Sequence, residues 1–339
     1  MGECLSSRSV TRVVINFSLA LAFTAVGLAS HTQPFEDQDK VKVLLEKVLK
    51  SQRSVDYLHI ESRTFGSGAG SAEVKVQTVA GKGIMVTMLK PSFRAGIVTI
   101  DDTKVTKTYL PDQDEVWIQP SPYLLQPTFG LRWKLINQNY SIKEGYSDVI
   151  AGRKVRQIIL EPIEDEIPVR RMFVDPKYNV MLKYVVSVVG GEDSVIFDTK
   201  YVEFGRAVAA SDYGLPDDAD SATQRTFDGP RQFEEPSGSR ETAGFSARIP
   251  DGLPFGFEVS GSYLFGKGPT AYVAVKLTDG MSTLTVYQWR RDRSRTPAEA
   301  KLTVTDRYGV SIGIAVVPGD AIPESIMKKI VGAFKNDAR

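Results

Sequence analysis

The side chains capable of chemistry are few and scattered. The chain holds two histidines, His31 and His59, and one cysteine, Cys4. No His, Cys or carboxylate cluster has the spacing of metal ligands, and no Gly-x-Ser-x-Gly elbow occurs. Asp101-Asp102 and Glu164-Asp165-Glu166 offer paired carboxylates of the kind a glycosidase uses, but both fall at expected turns, where solvation accounts for them. The run Gly66-Ser67-Gly68-Ala69-Gly70-Ser71 suggests a phosphate cradle. It lacks the following Lys and Ser/Thr and joins strand to strand, which makes it a hairpin tip. The one charge cluster is Arg290, Arg291, Arg293 and Arg295, directly after Trp289. Guanidinium forks suit carboxylates and phosphates, so this loop is a candidate contact for an acidic peptide or an anionic head group, with a solvated loop as the plain alternative. Catalysis, a metal and a cofactor are therefore not expected.

The elements that position these groups read mainly as strands. From Val149 to Gly205 the chain forms an expected β-meander of Val155–Leu160, Val169–Val174, Val180–Val189 and Ser194–Phe204. Its runs are rich in β-branched and aromatic residues, and they are broken at Ala151-Gly152-Arg153, Asp175-Pro176-Lys177-Tyr178-Asn179 and Gly190-Gly191. Such a sheet buries one face, which calls for a helix or a ligand against it. Val41, Leu44, Leu45, Val48 and Leu49 supply the helix, a core-facing stripe within residues 38–52. Strands are also expected over 55–65, 71–79, 84–89, 95–100, 105–110 and 116–119. The apolar, proline-punctuated stretch 120–140 fits either a lid over the sheet or a helical crossover.

Composition frames the rest. The chain has 339 residues, 42% of them hydrophobic, and a net charge of +1, which allows two domains and gives no global reason to bind nucleic acid. Arg8 and Arg12 precede an apolar run from Val13 to Leu28 that ends in small residues. This is the order of a secretory signal peptide over residues 1–30, with an uncleaved anchor as the alternative. Cys4 lies before that run, so the exported chain has no thiol and no disulfide. Residues 207–244 carry eight carboxylates against three arginines, among prolines, glycines and serines, and read as an acidic flexible linker. Beyond it, strands are expected over 245–249, 257–265, 271–277, 283–289, 302–305 and 310–317. A closing helix follows, capped by Asp320 with Pro323 in its first turn, whose Ile326, Ile330, Val331 and Phe334 face inward.

The order of signal, helix, antiparallel strands, irregular apolar stretch and meander resembles the N-terminal domain of the RseB/MucB periplasmic stress regulators, an unclosed half-barrel shared with the LolA/LolB lipoprotein carriers. The meander "IAGRKVRQIILEP…VRRMFVDPKYNVMLKYVVSVVGGEDSVIFDTKYVEFG" carries the N-terminal part of the likeness. "IPDGLPFGFEVSGSYL", "VKLTDGMSTLTVYQ" and "AVVPGDAIPESIMKKIVGAF" resemble the RseB C-terminal domain, which the carriers lack. The acidic segment and the arginine-rich hairpin depart from the family pattern.

The resemblance implies an α+β protein with a LolA/LolB-like antiparallel half β-barrel covering a helix over 34–206 and a smaller α+β domain over 245–339. It also implies a non-catalytic sensor in envelope stress signalling. The C-terminal domain would bind the periplasmic segment of a membrane-spanning anti-sigma factor and shield it from proteolysis, while the half-barrel takes a lipid or lipoprotein ligand that relieves the block. The alternative is a periplasmic carrier of LolA type. Val86, Met88, Trp117, Trp133, Phe173 and Tyr184 are the candidates to face the concavity, and Arg290, Arg291, Arg293 and Arg295 the candidates to meet the partner.

Overall fold

The computed structural model describes residues 35–51, 53–64, 71–187, 191–205, 213–291, 300–305, 309–316 and 321–336. The expected signal peptide, the glycine-rich tip 66–70, Gly190, the helix cap Asp320, Arg293 and Arg295 lie outside these residues. Helix α1 (Phe35–Ser51) opens the described chain, and its stripe of Val41, Leu44, Leu45 and Val48 is buried. Lys50 in its last turn pairs with Glu46 one turn back and complements the helix dipole.

Twelve strands make one large sheet: β1 (Tyr57–Thr64), β2 (Ser71–Val79), β3 (Gly83–Lys90), β4 (Val98–Asp101), β5 (Val105–Leu110), β6 (Glu115–Pro120), β7 (Tyr140–Ile150), β8 (Arg153–Pro162), β9 (Val169–Asp175), β10 (Val180–Ser187), β11 (Asp193–Phe204) and β12 (Thr223–Thr226). Their order is β12-β6-β5-β4-β3-β2-β1-β11-β10-β9-β8-β7, antiparallel except for the parallel pair of β12 with β6. The end strands do not meet, so this is an unclosed half-barrel. β11 returns beside β1 and welds the two meanders together. At the β7–β8 hairpin Ala151 and Gly152 both have positive φ, the backbone that a two-residue turn between twisted strands requires.

Strand β7 is absent from the sequence reading. Its run Ser141-Ile142-Lys143-Glu144-Gly145-Tyr146-Ser147-Asp148 is polar because the strand is a sheet edge, exposed along most of its length. Before it, the stretch expected as lid or crossover contains helix α2 (Phe129–Asn139). Thr128 caps this helix through Leu131 N–H, and Leu135 and Ile136 are buried.

A second sheet runs β13-β14-β15-β16-β18-β17, from β13 (Arg231–Phe233), β14 (Glu258–Phe265), β15 (Tyr272–Thr278), β16 (Thr283–Arg290), β17 (Lys301–Thr305) and β18 (Val310–Val316). Helix α4 (Glu324–Asn336) packs on it through Ile326, Ile330, Val331 and Phe334, while Pro323 precedes the first turn and its carbonyl accepts from Met327 N–H. Phe245–Ile249, expected as a strand, joins no ladder. Buried Gln288 holds it instead, accepting from Arg248 N–H and donating to Arg248 C=O, each at 2.8 Å.

The acidic segment is not a free tether over its described part, 213–244. β12 extends the large sheet, β13 extends the small one, and the short helix α3 (Arg240–Ala243) buries Ala243. Composition understated a few small anchors: Ala219 and Ala222 pack with Tyr109 and Val116, and two open sheet edges offer the backbone hydrogen bonds that the segment could not make alone. The two sheets are not separate beads either. Residues 35–339 form one compact unit, and one continuous core joins α1, β7, β8 and β9 to β14, β15, β16, β18 and α4.

Candidate functional site

Cross-strand pairing aligns side chains on one face of the large sheet. One row runs Val202, His59, Val76, Val86, Thr99, Thr108, Trp117 and Arg225 across eight strands. Met88 stands opposite Val74 in the adjacent row, and Tyr184 opposite Phe197 in a further one. Four of the six candidates for the concavity therefore share a face, and Trp133 of α2 joins the same core as Tyr184. Over β10, β9 and β8 the residues continuing this face, Met172 and Ile158, lie under α1. Over β3 to β6 the cover thins: Val86, Met88, Thr99 and Thr108 are half-buried and Trp117 is 37% exposed. Phe227 meets Trp117 at 5.4 Å in an edge contact, and Phe129 stacks on Trp133 at 6.2 Å. The result is a partly uncovered face of mixed apolar and polar side chains over β3 to β6, here called the trough.

Phe173 is the exception, and its expected place is corrected. It neighbours Met172 on β9, so strand alternation turns it to the opposite face, where it lines a different groove. Of the arginine cluster, Arg290 ends β16 half-buried, and Arg291 is exposed with its N–H donated to Gly309 C=O.

Sequence reasoning passed over a polar group on the trough side. His59, Glu61 and Arg63 alternate along β1, which places all three on one face. His59 Nε2 lies 2.9 Å from Glu61 Oε2, and Arg63 Nε donates to the other carboxylate oxygen. Burial on its own raises the Glu61 carboxyl, but the His59 hydrogen bond and then the Arg63 charge outweigh it and hold the carboxyl below its ordinary value. The i, i+2, i+4 spacing of titratable residues in a strand was the available signal. Among the described residues no group of three or more His, Cys, Asp or Glu side chains could hold a metal ion.

A second polar group lies where the sheets meet. The turn at Asp279-Gly280, between β15 and β16, inserts beside α2 and β7. Tyr140 Oη donates to Asp279 Oδ2 at 2.7 Å, Asn139 donates to the carbonyls of Gly256 and Asp279, and Arg132 Nε donates to Gly280 C=O. Gly280 has φ +100°, and a Cβ there would sit 2.8 Å from Ile136 N, so only glycine allows this approach. Asp279 also accepts from Ser282 Oγ at 2.9 Å. Ser282 in turn accepts from Arg170, a fully buried β9 guanidinium that also donates to Tyr184 Oη at 2.8 Å. Burial, then the Asp279 charge, pushes the Tyr140 hydroxyl well above the ordinary phenol range, so it stays a donor. Through Tyr184 this network reaches the trough face.

No protein-family model and no curated protein matches the chain. Solved structures do. A crystal structure of MucB aligns with 87% of this chain and 97% of its own, at 12% identity and a TM-score of 0.56. The complex of Pseudomonas aeruginosa MucA and MucB aligns with 86% of this chain and 97% of its own, at 13% identity and a TM-score of 0.62. MucB in complex with MucA(peri) gives the same coverage and identity at a TM-score of 0.59. The chain thus has the fold of the RseB/MucB proteins: α+β, with a large unclosed antiparallel sheet and few helices. No helix among the described residues is long and apolar enough to cross a membrane.

Proposed function

We propose that the chain is a non-catalytic, exported regulator of envelope stress. It binds the periplasmic segment of a membrane-spanning anti-sigma factor, and a lipid or lipoprotein ligand in the trough opposes that binding. The supporting observation is the likeness to the MucA and MucB complex over 86% of this chain, a share larger than the half-barrel alone would supply. The physical support is the junction. A trough ligand that shifts the packing around Tyr184 and a partner on the second sheet would share Arg170, Ser282 and Asp279, so each would bias the same packing and their effects would be reciprocal. Residues 1–30 direct export as a signal peptide. Arg290, Arg291, Arg293 and Arg295 form the cationic contact for an acidic stretch of the partner.

A second reading, a periplasmic lipid or outer-membrane lipoprotein carrier, is favoured by the partly uncovered apolar side chains of the trough, Val86, Met88 and Trp117. The two are separated by tagging the intact chain, isolating it from its own host's envelope in mild detergent and identifying co-purifying proteins and lipids by mass spectrometry. Point substitutions serve here because cutting at residue 245 would expose the shared core. A single-span membrane protein in near-equal amount, lost on joint Arg291→Glu and Arg293→Glu substitution, is the regulator's outcome. Acylated lipid without such a partner, lost on Val86→Asp, is the carrier's.

A further inference from the structure

The face opposite the trough carries a groove of about 450 Å³, within the span of small-molecule sites, about 300–1,000 Å³. Its residues come from two cross-strand rows. In one, Gly145 and Tyr146 bulge from β7 against the single residue Gln157, followed by Phe173, Lys183 and Asp198; in the other, Arg171, Val185 and Val195 align. Gly145 leaves room for the Gln157 side chain, whose Oε1 would lie 1.9 Å from a Cβ at that position. The bulge throws Tyr146 out of the ladder and over Phe173, at 5.8 Å between ring centroids and a 66° tilt. Tyr146 is 60% exposed, while Phe173 beneath it is 3% exposed. An exposed aromatic ring set edge-on over a buried one results.

The polar lining is balanced. Arg171 donates to Ser187 Oγ at 2.7 Å and to Asp193 Oδ2 at 2.8 Å, and Lys183 lies 3.8 Å from the Asp198 carboxylate. Each cation is answered by an anion, so a phosphate or a fatty-acid carboxylate finds no free charge. Gln157 is different. Its residue is only 3% exposed, it lines the groove, and its amide is uncharged. A side-chain amide carries two donors and an acceptor, and here its oxygen lies against Gly145 of β7.

From this geometry we infer that the groove binds a neutral saccharide. A sugar ring has an apolar C–H face that stacks on an aromatic side chain, here Tyr146, and vicinal hydroxyl groups that match planar amide, carboxylate and guanidinium ends, here Gln157, Asp193 and Arg171. The inference stands apart from the regulator reading, because the groove and the trough occupy opposite faces of the sheet.

The test is calorimetric titration of the full chain with cellobiose, maltose, N,N′-diacetylchitobiose and, for comparison, tri-alanine. Saturable binding of at least one disaccharide is expected, with Kd on the order of 1 mM. Tyr146→Ala removes an exposed side chain and keeps the fold, and Gln157→Leu keeps the buried volume; each is expected to weaken binding about tenfold or more. No saturable binding of any of the three sugars, binding indifferent to both substitutions, or preference for the peptide would overturn the assignment.

Discussion

The two halves of the large sheet present one face to unequal cover. Over β7 to β10, Tyr140, Ile142, Ile158, Leu160 and Met172 are sealed under α1 and against the second sheet. Over β3 to β6 the same face carries Val86, Met88, Thr99, Thr108 and Trp117, none of them fully buried. Hydrophobicity alone does not separate Val86, Met88 and Trp117 from the sealed set. Reach does: the 17 residues of α1 extend about 25 Å, whereas twelve strands at about 4.8 Å spacing extend more than twice as far. One helix cannot roof such a sheet, and the uncovered width becomes the trough.

The sharpest way to break this comparison is at the sealed end. Arg170→Met removes the buried guanidinium and leaves Asp279 with less compensation in the buried junction. Loss of one partner from a buried ionic network costs about 3–5 kcal/mol. Urea unfolding followed by tryptophan fluorescence should show that loss as a lower midpoint. A cost under about 1 kcal/mol, the range of exposed charges, would mean that water reaches the junction and that the halves are equally open.

How much of this was legible in the sequence follows from the same contrast. The meander was readable because its strands are β-branched and its turns carry Gly, Asn or Pro, and the stripes of α1 and α4 because apolar spacing is local. β7 was not, because an edge strand needs no apolar alternation. The acidic segment misled for the converse reason: its order comes from the edges of β6 and β14, which no local window contains. The trough candidates were named from residue type, and Phe173 fell on the other face because strand side chains alternate faces with every residue. The junction was invisible in advance, since Arg170, Tyr140 and Asp279 are far apart in the chain and ordinary in type.

A middle-sized effect is expected on β1, between the halves. The Glu61 carboxyl is held below its ordinary value of 4.5, so the folded state favours the ionised form. Stability from this group is present above that value and is lost as pH falls through the lower folded value. Glu61→Gln should therefore flatten the decline in unfolding free energy below about pH 4.5, leaving a shallower acid limb than that of the unsubstituted chain. An acid limb of unchanged slope would show that His59 and Arg63 do not favour the charged form.

The smallest effect is expected in the trough, and it is best read as a pair. Leu45→Ala, in the sealed half, removes a fully buried side chain of α1 and should destabilise by about 2–5 kcal/mol. Trp117→Ala takes away a larger side chain but should destabilise by less than about 1 kcal/mol, because the indole is partly solvated, it meets Phe227 only edge-on, and its Nε1–H bond to Glu115 is exposed. Thermal unfolding of the two variants side by side measures the difference. If Trp117→Ala matched Leu45→Ala, the open half would be a core in its own right. If it is nearly silent in stability yet strips bound lipid from the purified chain, then the residues that hold ligand are those the fold can do without, as expected of a surface left uncovered by a helix too short to roof it.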